Sequence, residues 1–239
     1  NTTGTGNVAV GHNALDANTT SSGLTAVGQG ALGASTGGSN TAVGNGASNA
    51  NTTGTGNVSM GRDALYFNTT GSSNTAIGRS AMQGSGSGQS TGSNNTAIGS
   101  SALFNNNASN NTAVGLSSLG ANTSGTRNSA LGANALDANT TGDFNTGIGY
   151  NALTDNTTGT LNTSVGDSSL RENSTGSRNS ALGQSALLQH TTGNDCVAVG
   201  ERALKENTTA SNNTALGASA LKANTTGASN TTVGQNSLL

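Results

Sequence analysis

The residues that could do chemistry are few, and most are asparagines. Asn18, Asn51, Asn68, Asn122, Asn139, Asn156, Asn173, Asn207, Asn224 and Asn230 each stand two residues before a Thr or Ser. In a secreted eukaryotic chain this pattern marks a glycan acceptor. Asn18, Asn68, Asn139, Asn156, Asn207 and Asn224 are therefore candidate acceptors. The competing reading is turn chemistry, because Asn-Thr-Thr-Gly suits a tight corner. Catalytic groups do not assemble. His12 and His190 lie near opposite ends of the chain, and Cys196 is the single cysteine, which excludes an internal disulfide. Asp16, Asp63, Asp137, Asp155, Asp167 and Asp195 fall at irregular phases and do not make a Gly-Gly-x-Gly-x-Asp calcium repeat. Gly84 to Gly88 has the glycine content of a phosphate loop but not its Lys-Ser/Thr ending. No catalytic, cofactor-binding or metal-binding residue is expected, and the chain does not read as an enzyme.

Composition narrows the partners. Charged residues are 8% of the 239, against roughly 25% in an ordinary soluble domain, and the net charge is −2. So neutral a chain offers no electrostatic footprint for nucleic acid. No stretch reaches the roughly 18 apolar residues of a membrane span, so membrane insertion is not expected. The chain opens on Asn1 with no signal-peptide pattern, which reads as a mature product or a piece of something longer.

The elements that position these residues repeat. The glycine of Asn-Thr-Ala-Val/Ile-Gly recurs fourteen times from Gly11 to Gly234, and ten of the thirteen spacings are 17 residues. A short, regular period implies a solenoid whose units stack and do not fold alone. The expectation is one repeat domain over 1–239, all-β, a parallel β-solenoid or β-roll of about fourteen 17-residue coils. One longer spacing, between Gly78 and Gly99, places a loop insertion near 84–92. The four residues before each anchor read as a strand, and Ala-Leu a few residues after it reads as a second one. Val43, Ile77, Ile98 and Ile148 from the first, with Leu65, Leu103, Leu153 and Leu204 from the second, are the expected core. Asn74, Asn95, Asn128, Asn145 and Asn162, four residues before the anchor, would stack into one amide ladder. Asn68, Asn139, Asn156, Asn207 and Asn224, seven residues after it, would form another. Coils about 4.8 Å apart would make a rod of about 65 Å. Such a coil has a thin core, and the strand is apolar on both faces, with one line nearly all Ala. That pattern predicts a homo-oligomer in which small side chains admit a second chain.

Asn74 to Met82, Asn95 to Leu103, Asn145 to Leu153 and Asn213 to Leu221 are clean copies of Asn-Thr-Ala-Ile-Gly-x-x-Ala-Leu and its close variants. This run resembles the head repeats of YadA-like trimeric autotransporter adhesins and the shaft repeats of phage tail fibres. The resemblance covers the whole chain and implies a trimeric fibre at a cell or virion surface whose exterior binds host, matrix or glycan. The repeat departs from the adhesin heads in its added Asn-Thr-Thr-Gly corner.

Two other functions fit the repeat. No capping repeat is visible at Asn1 or Leu239, so coil-on-coil stacking could build a self-assembling extracellular filament. The pairs Thr19-Thr20, Thr69-Thr70, Thr140-Thr141, Thr157-Thr158, Thr208-Thr209 and Thr225-Thr226 would also form parallel hydroxyl rows. Such rows resemble those of ice-binding solenoids.

Overall fold

The computed structural model describes residues 1–84 and 90–238. The chain is an all-β parallel solenoid, and its coils fall into two compact units, Asn1–Ser124 and Gly125–Leu239. The first holds β1 (Val8–Val10), β2 (Thr25–Val27), β3 (Thr41–Val43), β4 (Val58–Met60), β5 (Thr75–Ile77), β6 (Thr96–Ile98) and β7 (Thr112–Val114). The second holds β8 (Ser129–Leu131), β9 (Thr146–Ile148), β10 (Thr163–Val165), β11 (Ser180–Leu182), β12 (Val197–Val199), β13 (Thr214–Leu216) and β14 (Thr231–Val233). In each unit every strand pairs in parallel with the next in chain order, like residue over like: Thr25 on Thr41, Ala26 on Ala42, Val27 on Val43. The inserted residues 85–89, including Ser85, lie outside the described residues, so the outward loop expected there is not placed.

Each coil carries one strand, where the sequence predicts two. The Ala-Leu pair is not a strand, because its Leu adopts a left-handed backbone: φ is 56° at Leu65, 54° at Leu153 and 51° at Leu204. Left-handed corners recur two residues after the anchor, as at Asn151 (φ 52°), and five before it, as at Phe144 (φ 57°). A left-handed residue other than glycine costs about 1–2 kcal/mol. The leucine corner turns its side chain into the coil, and burying a leucine contributes about 1.5–3 kcal/mol, enough to offset that cost. Leu65, Leu103, Leu153 and Leu204 are fully buried.

The other half of the expected core is corrected. Ile77, Ile98 and Ile148 face outward, each more than a third exposed, and Val43 is only partly covered. The alanine between the two outward positions points inward instead: Ala42, Ala76 and Ala97 are fully buried. The reason is room. At Gly147, the one glycine in this inward row, an added Cβ would already stand 3.3 Å from Cγ of Leu136. The leucine corner fills the coil, so only a small residue fits opposite.

The anchor glycine has two reasons to be glycine. Its φ lies between 125° and 140° in all fourteen coils. A Cβ on Gly149 would also stand 2.5 Å from the carbonyl oxygen of Gly166 in the next coil. We expect Gly149→Ala to destabilise the fold by about 3 kcal/mol or more, read as a lower urea midpoint. Ser168→Gly, at a left-handed corner (φ 54°) that already carries a Cβ, should change it by less than about 1 kcal/mol.

Candidate functional site

Both asparagine rows line the inside of the coil, and they work differently. In the row before the anchor, each Oδ1 accepts the backbone N–H of the equivalent residue one coil on. Asn145 N–H donates to Asn128 Oδ1 at 2.9 Å and Asn162 N–H to Asn145 Oδ1 at 3.0 Å. The same pattern joins Asn74 to Asn57 and Asn95 to Asn74. Each Nδ2 donates to the corner carbonyl of the next coil, as Asn145 does to Gly159 at 2.8 Å. The contact is thus chiefly amide to backbone, not the amide-to-amide stack expected.

The row after the anchor is a true amide ladder. Asn68 Nδ2 donates to Asn51 Oδ1, Asn156 Nδ2 to Asn139 Oδ1 and Asn224 Nδ2 to Asn207 Oδ1, at 2.7–2.8 Å. Each Nδ2 also donates to the corner carbonyl three residues on in its own coil, as Asn139 does to Gly142 and Asn156 to Gly159. This corrects the glycan reading. Asn18, Asn68, Asn139, Asn156 and Asn207 are at most 1% exposed, and Asn224 is partly covered. Their Nδ2 atoms sit inside the coil and are spent on hydrogen bonds, so the folded solenoid has no room for a sugar there.

Three interruptions mark this ladder among the described residues; at the first, Ser35 is buried, its hydroxyl donates to the Gly37 carbonyl at 3.2 Å and accepts from Asn51 Nδ2 at 3.2 Å. After the insertion, the ladder position falls to Ser90: it is buried, pairs with Asn68 in a parallel bridge, and its hydroxyl donates to the Asn106 carbonyl at 2.9 Å. At the third, His190 is buried, with Nε2 2.8 Å from the Gly193 carbonyl and Nδ1 2.9 Å from Asn207 Nδ2. Those partners require Nε2 to carry the proton and Nδ1 to accept, a neutral ring. The residues just before the last two breaks, Asn68 and Asn173, each keep a buried Oδ1 with no hydrogen-bond partner, whereas Asn18 Oδ1, before Ser35, accepts the Ser21 N–H at 3.0 Å. His190 is therefore a substituted rung with no catalytic partner. Cys196 takes the place of an asparagine in the other row; its buried thiol, its pKa raised chiefly by desolvation, points at the Ala210 carbonyl.

The threonine pairs are also structural. The first Thr of the pair donates to a carbonyl one coil on: Thr140 Oγ1 to Thr157 at 3.0 Å, Thr157 Oγ1 to Ser174 at 2.9 Å. The corner before the strand carries a further ladder, in which a side chain accepts the preceding coil's N–H. Ser72 serves Thr55, Ser177 serves Thr160, and Asp143 serves Thr126. These positions look variable in the sequence yet share one task. Among the described residues no three His, Cys, Asp or Glu side chains group to hold a metal, and no helix is long and apolar enough to cross a membrane.

What remains outward is the strand face, which the sequence reading placed inside. It shows two rows in register: branched or long apolar residues just before the anchor, and mostly Thr or Ser two positions earlier. Among the described residues, the hydroxyls of Thr41, Thr75, Thr96, Thr146, Thr163 and Thr214 donate to no protein atom. Neither row contains a charged residue in any coil. The outward Thr row was legible in Asn-Thr-Ala-Val, but its exposure was not. Compared with known proteins, the chain matches no family model, no curated sequence and no solved structure.

Burial lowers the pKa of His190 from its ordinary 6.5, outweighing two hydrogen bonds that raise it. The unfolded chain then binds a proton near pH 6.5 that the fold excludes, so stability is full above pH 6.5 and falls as the pH drops through it. We expect His190→Asn to abolish this component of the acid loss. It should also raise neutral-pH stability by about 1–2 kcal/mol by giving Asn173 Oδ1 its donor, read by denaturation of both proteins above and below pH 6.5.

Proposed function

We propose that the chain is a structural segment of an extracellular fibre at a cell or virion surface, in which copies associate through the outward strand face. The observation that carries this reading is the uncovered apolar row: Met60, Ile77 and Ile98 in the first unit, and Leu131, Ile148, Leu182 and Leu216 in the second, are each 36–51% exposed. Monomeric soluble proteins rarely leave contiguous apolar surface uncovered, and a chain that associates along its length does so by design. The inside of each coil supports the same reading. Its polar groups are almost all spent on neighbouring coils, which favours stiffness along the stack over a pocket. The resemblance to trimeric adhesin heads and tail-fibre shafts points the same way, toward a trimer or a filament that is not an enzyme. The face between copies is then the Val/Ile row, not the Ala row. Light scattering of the purified chain is expected to give a trimer mass or larger. Ile77→Asp with Ile148→Asp should lower the mass to a monomer that keeps its β circular dichroism. A monomer mass for the parent chain at all concentrations overturns the reading.

A second reading is favoured by the unpartnered hydroxyls of the same face. Thr and apolar rows repeat about 4.8 Å apart from coil to coil and about 6.6 Å apart within a strand. A regular, uncharged array of this kind suits an ordered water lattice. On this reading the chain is monomeric and shows thermal hysteresis, which is lost when Thr75, Thr96, Thr146 and Thr163 are replaced by Lys. A monomer without hysteresis removes it.

A further inference from the structure

One part of the first unit departs from the repeat in a way that neither backbone nor core requires. Two residues after the anchor, twelve of the fourteen coils carry a side chain, and only Gly30 and Gly46 do not. The left-handed backbone of that corner does not call for glycine, since Ser117 and Asn134 adopt it at φ 53° and 56°. Gly33, five residues after its anchor, removes a third side chain beside them. The result is an open depression of about 530 Å³, bounded by Asp16 on one side and Tyr66 on the other.

The three glycines let neighbouring side chains lie flat on the floor. A Cβ at Gly46 would come within 3.0 Å of two Tyr66 ring carbons, so the ring rests against bare backbone there. At Gly30 and Gly33 a Cβ would come 2.9 Å from Asn49 Nδ2, which instead donates to the Gly30 carbonyl at 2.8 Å. Asn45 Nδ2 donates to Gln29 Oε1 at 3.2 Å, and the two amides brace each other. These bonds leave the outward half of each amide unused. Asn45 Oδ1, Asn49 Oδ1 and the Asp16 carboxylate are acceptors, and Gln29 Nε2 is a donor, with no partner among the described residues. Tyr66 adds a hydroxyl and a half-covered ring, held edge-on by Phe67 at 4.7 Å between centroids.

We infer that this depression binds a neutral saccharide. A sugar ring presents hydroxyls that both donate and accept, matching paired amides and a carboxylate, and a C–H face that packs on an aromatic ring. The charges at the hollow, Asp16 in its lining and the Asp63 carboxylate beside Gly46, are negative, which disfavours anionic ligands. The site lies on the turn side of the coil, away from the strand face, and does not depend on association there.

The test uses the whole chain and a panel of neutral hexose and N-acetylhexosamine oligosaccharides. Binding is followed by saturation-transfer NMR and by tyrosine fluorescence, with sialylated versions as anionic probes. A saturable response to a neutral probe is expected. It should weaken at least about tenfold in Tyr66→Ala and in Gly30→Ser, which refills the floor with a residue other coils carry at that corner. Unchanged circular dichroism and melting show that both variants fold. No saturable response to any neutral probe, a response that survives both substitutions, or tighter binding of the sialylated probes overturns the assignment.

Discussion

Every coil must hand its backbone polar groups to the coils beside it while turning corners that L-residues resist. The rest of the structure depends on that constraint. A buried N–H or C=O without a partner costs more than most single contacts return. A three-residue strand satisfies only a few of these groups per coil. Of the remainder, many corner groups reach the backbone of a neighbouring coil, as Leu153 N–H does the Ser169 carbonyl at 3.0 Å, and others are left for side chains. The inner asparagines resolve this: Oδ1 takes a backbone N–H from the next coil, and Nδ2 gives to a corner carbonyl. Much of what would be core in another fold is therefore polar, because the groups that coil-to-coil backbone bonds leave over need it.

The same constraint explains which departures are tolerated. In three coils where a polar residue enters the inner apolar rows a second one meets it: Ser48 bonds Ser59 at 2.9 Å, Ser164 bonds Ser169, and Thr232 bonds Ser237 at 2.6 Å, while the lone Ser118 donates to the Gly115 carbonyl of its own coil at 3.2 Å. Each pair replaces two apolar contacts with one satisfied hydrogen bond. The asparagine ladder has no such remedy, because a rung needs a donor facing one neighbour and an acceptor facing the other. Ser90 and His190 supply only part of this, and the orphaned oxygens of Asn68 and Asn173 lie next to them.

Inside and outside consequently carry different kinds of information. The inward positions are held by neighbouring coils and leave little freedom for chemistry. The outward strand face is regular, uncharged and apolar in one row, which suits a partner as repetitive as the chain itself. The turn side is irregular, and the hollow before Tyr66 exists because three side chains are missing where the fold would accept them. The regular strand face and the irregular hollow coexist because they occupy different sides of the coil.

The sequence by itself determined the repeat, the parallel stacking, the glycine anchors and the inward leucines. Each follows from period and residue type at a fixed phase. Period two also required that Ala and Val/Ile of the strand face opposite ways, but it could not say which way was in. That depended on the radius of the coil. The left-handed leucine corner, invisible in a residue that rarely adopts that backbone, brings a large side chain across the interior and leaves space only for alanine. The fate of the Asn-Thr-Thr motif was decided in the same manner. Its spacing fits a glycan acceptor and a ladder rung equally well, and only the fold, by turning each amide nitrogen inward onto its neighbour and its corner carbonyl, chose between them.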